Sequence, residues 1–176
     1  MFSPASYEWS DKHVAYDALV RDLASLLHGE RDLVANASQT AAFIWHALPD
    51  LNWAGFYFLH GDELVVGPFQ GLPACTRIAL TRGVCGAAAS QQVSILVPDV
   101  HAFPGHIACD ANSRSELVVP VIADGALRGV FDLDAPIPAR FDDADRQGVE
   151  RLIEVFVATT AWPAAANSGP GLYARS

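Results

Sequence analysis

Three side-chain types in this chain could do chemistry together: thiols at Cys75, Cys85 and Cys109, carboxylates at Glu116, Asp132 and Asp134, and the aromatic pair Trp53 and Tyr57. Cys109 stands in the polar stretch HIACDANSRSE, where no hydrophobic pattern explains it as a small core residue. A thiol there suits nucleophilic or redox chemistry. Cys85, in RGVCGAAA, falls at an expected helix start, where the macrodipole and Arg82 would lower its pKa. Local electrostatics alone therefore favour Cys85 as the reactive thiol, and burial of all three as inert thiols stays open. No C-x-x-C pair occurs, so a zinc site built from these cysteines with His101 or His106 is disfavoured. Neither a metal nor a cofactor is expected. His101 and His106, in DVHAFPGHIACD, read as general bases or as hydrogen-bond anchors of a long loop, the anchor role being favoured.

The carboxylates and rings sit on segments with strand periodicity. In NWAGFYFL a period of two sends Trp53, Gly55 and Tyr57 to one face and Ala54, Phe56 and Phe58 to the other. A glycine between two large rings leaves a notch in which a small group could lie, although two packed core aromatics would give the same pattern. In VFDLD the same parity puts Asp132 and Asp134 on one face, opposite Phe131 and Leu133. A solvated strand face would account for that pair. With Glu116 at the head of the neighbouring segment LVVPVI, three carboxylates could converge. Such a cluster binds an ammonium group or keeps one acid protonated as a proton donor.

The elements that must position these residues are legible in outline. Apolar residues recur at helical spacing over Ser10 to Leu27 and Leu33 to Leu48, stopped by His28-Gly29 and Pro49-Asp50. Six short β-rich segments follow (NWAGFYFL, ELVVGPF, TRIAL, ILV, LVVPVI and LRGVFDLD), with the Ala-rich GVCGAAASQQ as a helix among them. A last helix over Asp142 to Ala161 begins with acids in its first turn, and the order reads ααβ, then βαβ, then ββα. The Asp-Gly pair between the last two strands marks an antiparallel hairpin. Together these predict an α+β fold with helices on an antiparallel sheet. GPFQG lacks the lysine and hydroxyl of a phosphate loop and reads as a turn.

Composition narrows the function class. With 176 residues, 51% hydrophobic and 18% charged, the chain is the size and type of one globular domain. A net charge of -9 opposes the long-range attraction that nucleic acid or an anionic membrane surface needs. No basic segment precedes an apolar stretch at the N-terminus, and no window holds the roughly 18 apolar residues of a membrane span. A cytoplasmic protein is expected, and reducing cytosol argues against permanent disulfides.

Taken in order, NWAGFY, VVGPFQG, ACTRI, RGVCG, DVHAFPGHIACDANSRSE and GVFDLD resemble the free methionine-(R)-sulfoxide reductases, a catalytic branch of the GAF fold. The resemblance runs from about Asn52 through the last helix and departs from the family at Ala135 and Ala79, where serine and proline are common. It implies a single GAF-like domain, over residues 1–162; the small, polar, Pro/Gly-containing stretch 163–176 lies outside the resemblance and reads from its composition as a flexible C-terminal tail. It makes Cys109, not Cys85, the nucleophile that attacks the sulfoxide sulfur and becomes a sulfenic acid. Cys75 would then be the main resolving thiol and Cys85 a secondary one, with thioredoxin as reductant. Glu116, Asp132 and Asp134 would hold the substrate ammonium and protonate the sulfoxide oxygen, and Trp53 and Tyr57 would wall the methyl-sulfinyl end. A homodimer is expected by analogy with other GAF domains. The alternative is a non-catalytic GAF module that binds a small regulatory ligand; the three cysteines speak against it.

Overall fold

Side-chain carboxylates start the three long helices. In the computed structural model, which describes residues 7–103 and 111–163, helix α1 (Lys12–Leu26) is capped by Asp11, whose side chain accepts from the His13 and Val14 N–H groups. Helix α2 (Leu33–Ala47) is capped by Asp32 in the same way. The last helix, α4 (Asp143–Thr159), opens with a reciprocal capping box between Asp142 and Asp145. Each cap satisfies amides that the first turn leaves without partners and is worth about 1 kcal/mol. Asp145 does more than cap. It is fully buried and also accepts from Tyr16 Oη at 2.9 Å, from Arg140 at 3.3 Å and from Lys12. The N-terminus of α4 is thereby tied to α1 and to the segment that enters α4.

Six strands make one antiparallel sheet: β1 (Trp53–His60), β2 (Glu63–Gly71), β3 (Arg77–Ala79), β4 (Ile95–Val97), β5 (Ser115–Ala123) and β6 (Ala126–Ala135), in the spatial order β3-β2-β1-β6-β5-β4. Helix α3 (Gly83–Gln91) lies between β3 and β4 in sequence. All six expected segments are strands, so the order is ααβββαβββα, one strand more than the expected order allowed. The Asp124–Gly125 turn joins β5 to β6 with both residues at positive φ, 53° and 71°. That is the hairpin geometry the Asp-Gly pair predicts. One further element, a single 3₁₀ turn at Val100–Ala102, carried no sequence signal.

The sheet separates two apolar clusters by residue parity. On one face Ala54, Phe56, Leu117, Phe131 and Leu133 pack with Leu19, Leu23, Ile44, Val149 and Phe156 of α1, α2 and α4. On the other, Trp53, Tyr57, Val118 and Val130 pack with Val84, Cys85, Ala88 and Ala89 of α3. The first face is apolar apart from Ser115 at the head of β5, whose buried hydroxyl donates to the Ile137 carbonyl. The second also carries the carboxylates.

Candidate active site

Register across β1, β6 and β5 lays the site out in rows. Trp53 pairs with Asp134, and Asp134 with Glu116; in the next row Gly55 pairs with Asp132, and Asp132 with Val118. Trp53, Tyr57, Glu116, Asp132 and Asp134 therefore share the face covered by α3, as their parity predicts. Asp132 and Glu116 are each only 6% exposed, which removes a solvated strand face as the reason for these two acids.

Helix α3 adds Cys85. Small residues let it close on the sheet: a Cβ on Gly86 would lie 2.7 Å from the Ala79 carbonyl oxygen, and Ala88 and Ala89 are buried beside it. The Cys85 Sγ stands 4.0 Å from Glu116 Oε1, and one ligand atom from each of Cys85, Glu116 and Asp132 lies within 4.8 Å of the others. These three are the described residues that could hold a metal ion.

The electrostatics follow from burial. Desolvation raises the Glu116 carboxyl well above its usual range, and the neighbouring charges of Asp132 and Asp134 raise it further. Asp132 is also pushed up by burial, with hydrogen bonds from Cys85, Glu116 and the Leu133 amide offsetting only part. Tyr57 is raised by burial first and then by the Asp132 charge. Two carboxyl groups in contact away from water cannot both ionise cheaply, so one retains a proton into a range where an ordinary carboxylate has lost it.

Burial overturns one expectation. The Cys85 thiol is buried, and desolvation together with Asp132 and Glu116 pushes its pKa well above the normal value. Arg82 and the helix start do not make it a thiolate, because two carboxylates and the loss of water outweigh them. The notch at Gly55 is also not open. The rings of Trp53 and Tyr57 stack at 5.6 Å between centroids, Phe69 from β2 stacks on Trp53 at 5.2 Å, and a Cβ at Gly55 would sit 2.3 Å from the Phe69 Cβ. Gly55 is there to admit β2, not a ligand.

The space available to a ligand lies beside those rings. Trp53, Tyr57, Asp132 and Asp134 line a narrow cleft closed by Leu72, Pro73 and Ala74, with a free volume of only about 10 Å³. The Trp53 indole N–H donates to the Leu72 carbonyl at 3.2 Å, which fixes the ring to that segment. Sequence reading passed over Leu72 to Ala74; their only signal was the position of Gly-Leu-Pro directly after a strand. Cys75 follows this segment, packs against the same cluster and is disulfide-bonded, whereas Cys85 is free. Cys109 and His106 lie outside the described residues. His101 is exposed on the 3₁₀ turn, where Asp99 caps its backbone N–H, and it takes no part in the carboxylate cluster.

At both ends of the segment that contains Cys109 the chain is pinned beside this site. The Val100 N–H donates to the Arg114 carbonyl at 2.9 Å, and Asn52 Nδ2 donates to Ser113 Oγ at 3.0 Å. Arg114 and Ser113 lead directly into β5 and Glu116. Among the described residues this face offers an aromatic wall, a carboxyl pair that holds a proton, and the buried thiol of Cys85, with the disulfide-bonded Cys75 packed nearby.

Comparison with known proteins bears on this geometry. The GAF domain family model matches residues 11–159. The chain is 46% identical over 148 residues to the free methionine-R-sulfoxide reductase of Escherichia coli (strain K12), covering 82% of this chain and 90% of that one. It is 41% identical over 153 residues to the enzyme of the same name from Saccharomyces cerevisiae, covering 82% and 85%. Among solved structures, the free methionine-R-sulfoxide reductase of Neisseria meningitidis in complex with its substrate superimposes with a TM-score of 0.83 at 41% identity, over 89% of this chain and 95% of that one. No helix among the described residues is long and apolar enough to cross a membrane. A GAF match over most of the chain and identities above 40% across nearly whole relatives place it: this chain belongs to the GAF-domain free methionine-R-sulfoxide reductases, which are oxidoreductases.

Proposed function

We propose that the protein reduces free L-methionine-(R)-sulfoxide to methionine by a thiol mechanism. The Cys109 thiolate attacks the sulfoxide sulfur, the oxygen passes to Cys109 as a sulfenic acid, and methionine leaves. Cys75 then attacks the sulfenic sulfur, water departs, and a Cys75–Cys109 disulfide remains for a thioredoxin dithiol to reduce. The sulfoxide oxygen must gain a proton as sulfur is attacked, and the carboxyl pair Glu116–Asp132 supplies it. Asp134, in the row of Glu116 and Trp53, completes the acidic wall for the substrate ammonium. Trp53 and Tyr57 pack against the methyl-sulfinyl end.

The observation that carries this reading is the desolvated Glu116–Asp132 pair beside a small aromatic cleft. Such a pair favours a cationic ligand that restores its lost counter-charge, and a free amino acid has the ammonium that a peptide-bound residue lacks. Cys75 being disulfide-bonded while Cys85 is free and deeply protonated supports Cys75 as the resolving thiol and leaves Cys85 a secondary part. By analogy with other GAF domains, the protein pairs with a second copy through its helices.

The test is thioredoxin-coupled NADPH oxidation with free L-methionine-(R)-sulfoxide, its S epimer and the N-acetylated R form. Turnover of the free R form is expected, with discrimination of at least about 10³-fold against the N-acetyl compound. Equal turnover of the acetylated substrate refutes the acidic pocket's role; no turnover of any form with active thioredoxin refutes the reaction.

A further inference from the structure

We propose that Cys85, Glu116 and Asp132 form a site for a borderline-soft divalent cation such as Zn²⁺, which competes with the substrate ammonium. The second half of this statement rests on the substrate assignment made above; the first does not.

The geometry points this way. The three residues come from three separate elements, α3, β5 and β6, and each offers a ligand atom within 4.8 Å of the other two. All three are buried, Cys85 at 4% exposure and the two acids at 6%. A tetrahedral zinc ion with one sulfur at about 2.3 Å and two oxygens at about 2.0–2.2 Å needs its ligand atoms roughly 3.5 Å apart. The Cys85 Sγ to Glu116 Oε1 separation of 4.0 Å has to contract by only about 0.5 Å. A second, independent feature is Asp132 Oδ1: it is buried and meets no hydrogen-bond partner among the described residues. A buried carboxylate oxygen without a donor is costly, and it is satisfied when a cation takes the position between the three side chains. Asp132 also lines the narrow cleft beside Trp53 and Tyr57.

The ligand set selects the ion class. One thiolate with two carboxylates suits Zn²⁺ or Cd²⁺, whereas Mg²⁺ and Ca²⁺ prefer six or more oxygens, a number this site does not offer. Binding sets Cys85 as a thiolate and both acids as carboxylates, releasing their protons to solvent. The bound cation then stands where the ammonium of an amino acid would meet Asp132. The site therefore makes the enzyme sensitive to free zinc, and substrate protects against it.

The decisive experiment uses the full chain with Cys75→Ser and Cys109→Ser together, leaving Cys85 as its sole thiol, since the sequence holds three cysteines. Cd²⁺ is titrated while the ultraviolet sulfur-to-metal absorbance is followed, and Zn²⁺ is titrated against a chromophoric chelator. One equivalent per chain with the sulfur band is expected. Adding Cys85→Ser should abolish the band, and Glu116→Gln, which keeps the thiol, should weaken binding by more than about tenfold. No band, or binding unchanged by either substitution, overturns the site. L-Methionine-(R)-sulfoxide, which this variant can bind but not turn over, should displace the cation. Calorimetry on the metal-free variant separates the two claims. If the sulfoxide binds there and also binds together with Cd²⁺, the competition is overturned. If it does not bind at all while Cd²⁺ does, the substrate assignment fails and the cation site stands.

Discussion

Replacing Asp132 with asparagine should make the ligand-free protein more stable at pH 8, and by a clearly smaller margin at pH 5. Burial lifts the Asp132 carboxyl from 3.8 to about 7 in the fold. The native state therefore binds a proton more tightly than the unfolded chain, and this contribution is fully present below the unfolded value and is lost as pH rises through about 7. A rise of that size corresponds to about 4 kcal/mol at pH 8, where both states are ionised. Asparagine is nearly isosteric, carries no charge beside Glu116, and offers an amide that can donate to it. Allowing half of the penalty for relaxation and water entry, Asp132→Asn should gain about 2 kcal/mol at pH 8. Urea unfolding of both proteins at intervals from pH 5 to 8 reads the difference directly, and groups far from residue 132 cancel in the comparison. The gap should open with rising pH. A variant that is less stable at pH 8, or a gap that does not depend on pH, refutes a strained buried carboxylate at this position.

Cys109→Ser should abolish turnover in the coupled assay, while Cys85→Ser should keep most of it; equal losses would overturn the thiol roles. Trp53→Ala removes the wall ring and its anchor on Leu72, so KM for the sulfoxide should rise by more than about tenfold with the fold retained by circular dichroism. Gly55→Ala forces a methyl to 2.3 Å from the Phe69 Cβ, against a backbone that cannot swing aside, and should cost about 1–3 kcal/mol in chemical denaturation while raising KM. Asp145→Ala leaves Tyr16 Oη and Arg140 without their buried acceptor, so a loss of about 3–5 kcal/mol is expected, with kcat unchanged in the protein that remains folded.

Strand parity carried much of the site in the sequence. A period of two placed Asp132 and Asp134 opposite Phe131 and Leu133, and Trp53 and Tyr57 opposite Ala54 and Phe56, and both divisions match the two clusters of the sheet. Parity says which face a residue takes, not what lies above it. That Cys85 is submerged between two acids depends on α3 closing over β5 and β6, a contact some thirty residues distant in sequence and set by Gly86 and two alanines. Local rules about helix starts therefore pointed the wrong way for its thiol. The role of Gly55 failed for the same reason: Phe69 comes from the next strand, and nothing in NWAGFYFL announces it. Leu72 to Ala74 and the 3₁₀ turn are short irregular pieces whose placement depends on the elements they join, so no period reveals them.

The alternation along β6 also sets how the gene can change. Deleting one residue between Val130 and Asp134 would exchange the two faces for everything beyond it, turning a carboxylate into the helix-packed core and an apolar side chain into the cleft. Such a change would destroy stability and chemistry together. An insertion at the exposed Asp124–Gly125 turn leaves that phase intact and should be tolerated. Length variation in natural or engineered variants is thus expected to collect at that turn and to be absent from the strand, so that the count of residues along β6, as much as their identity, is under selection.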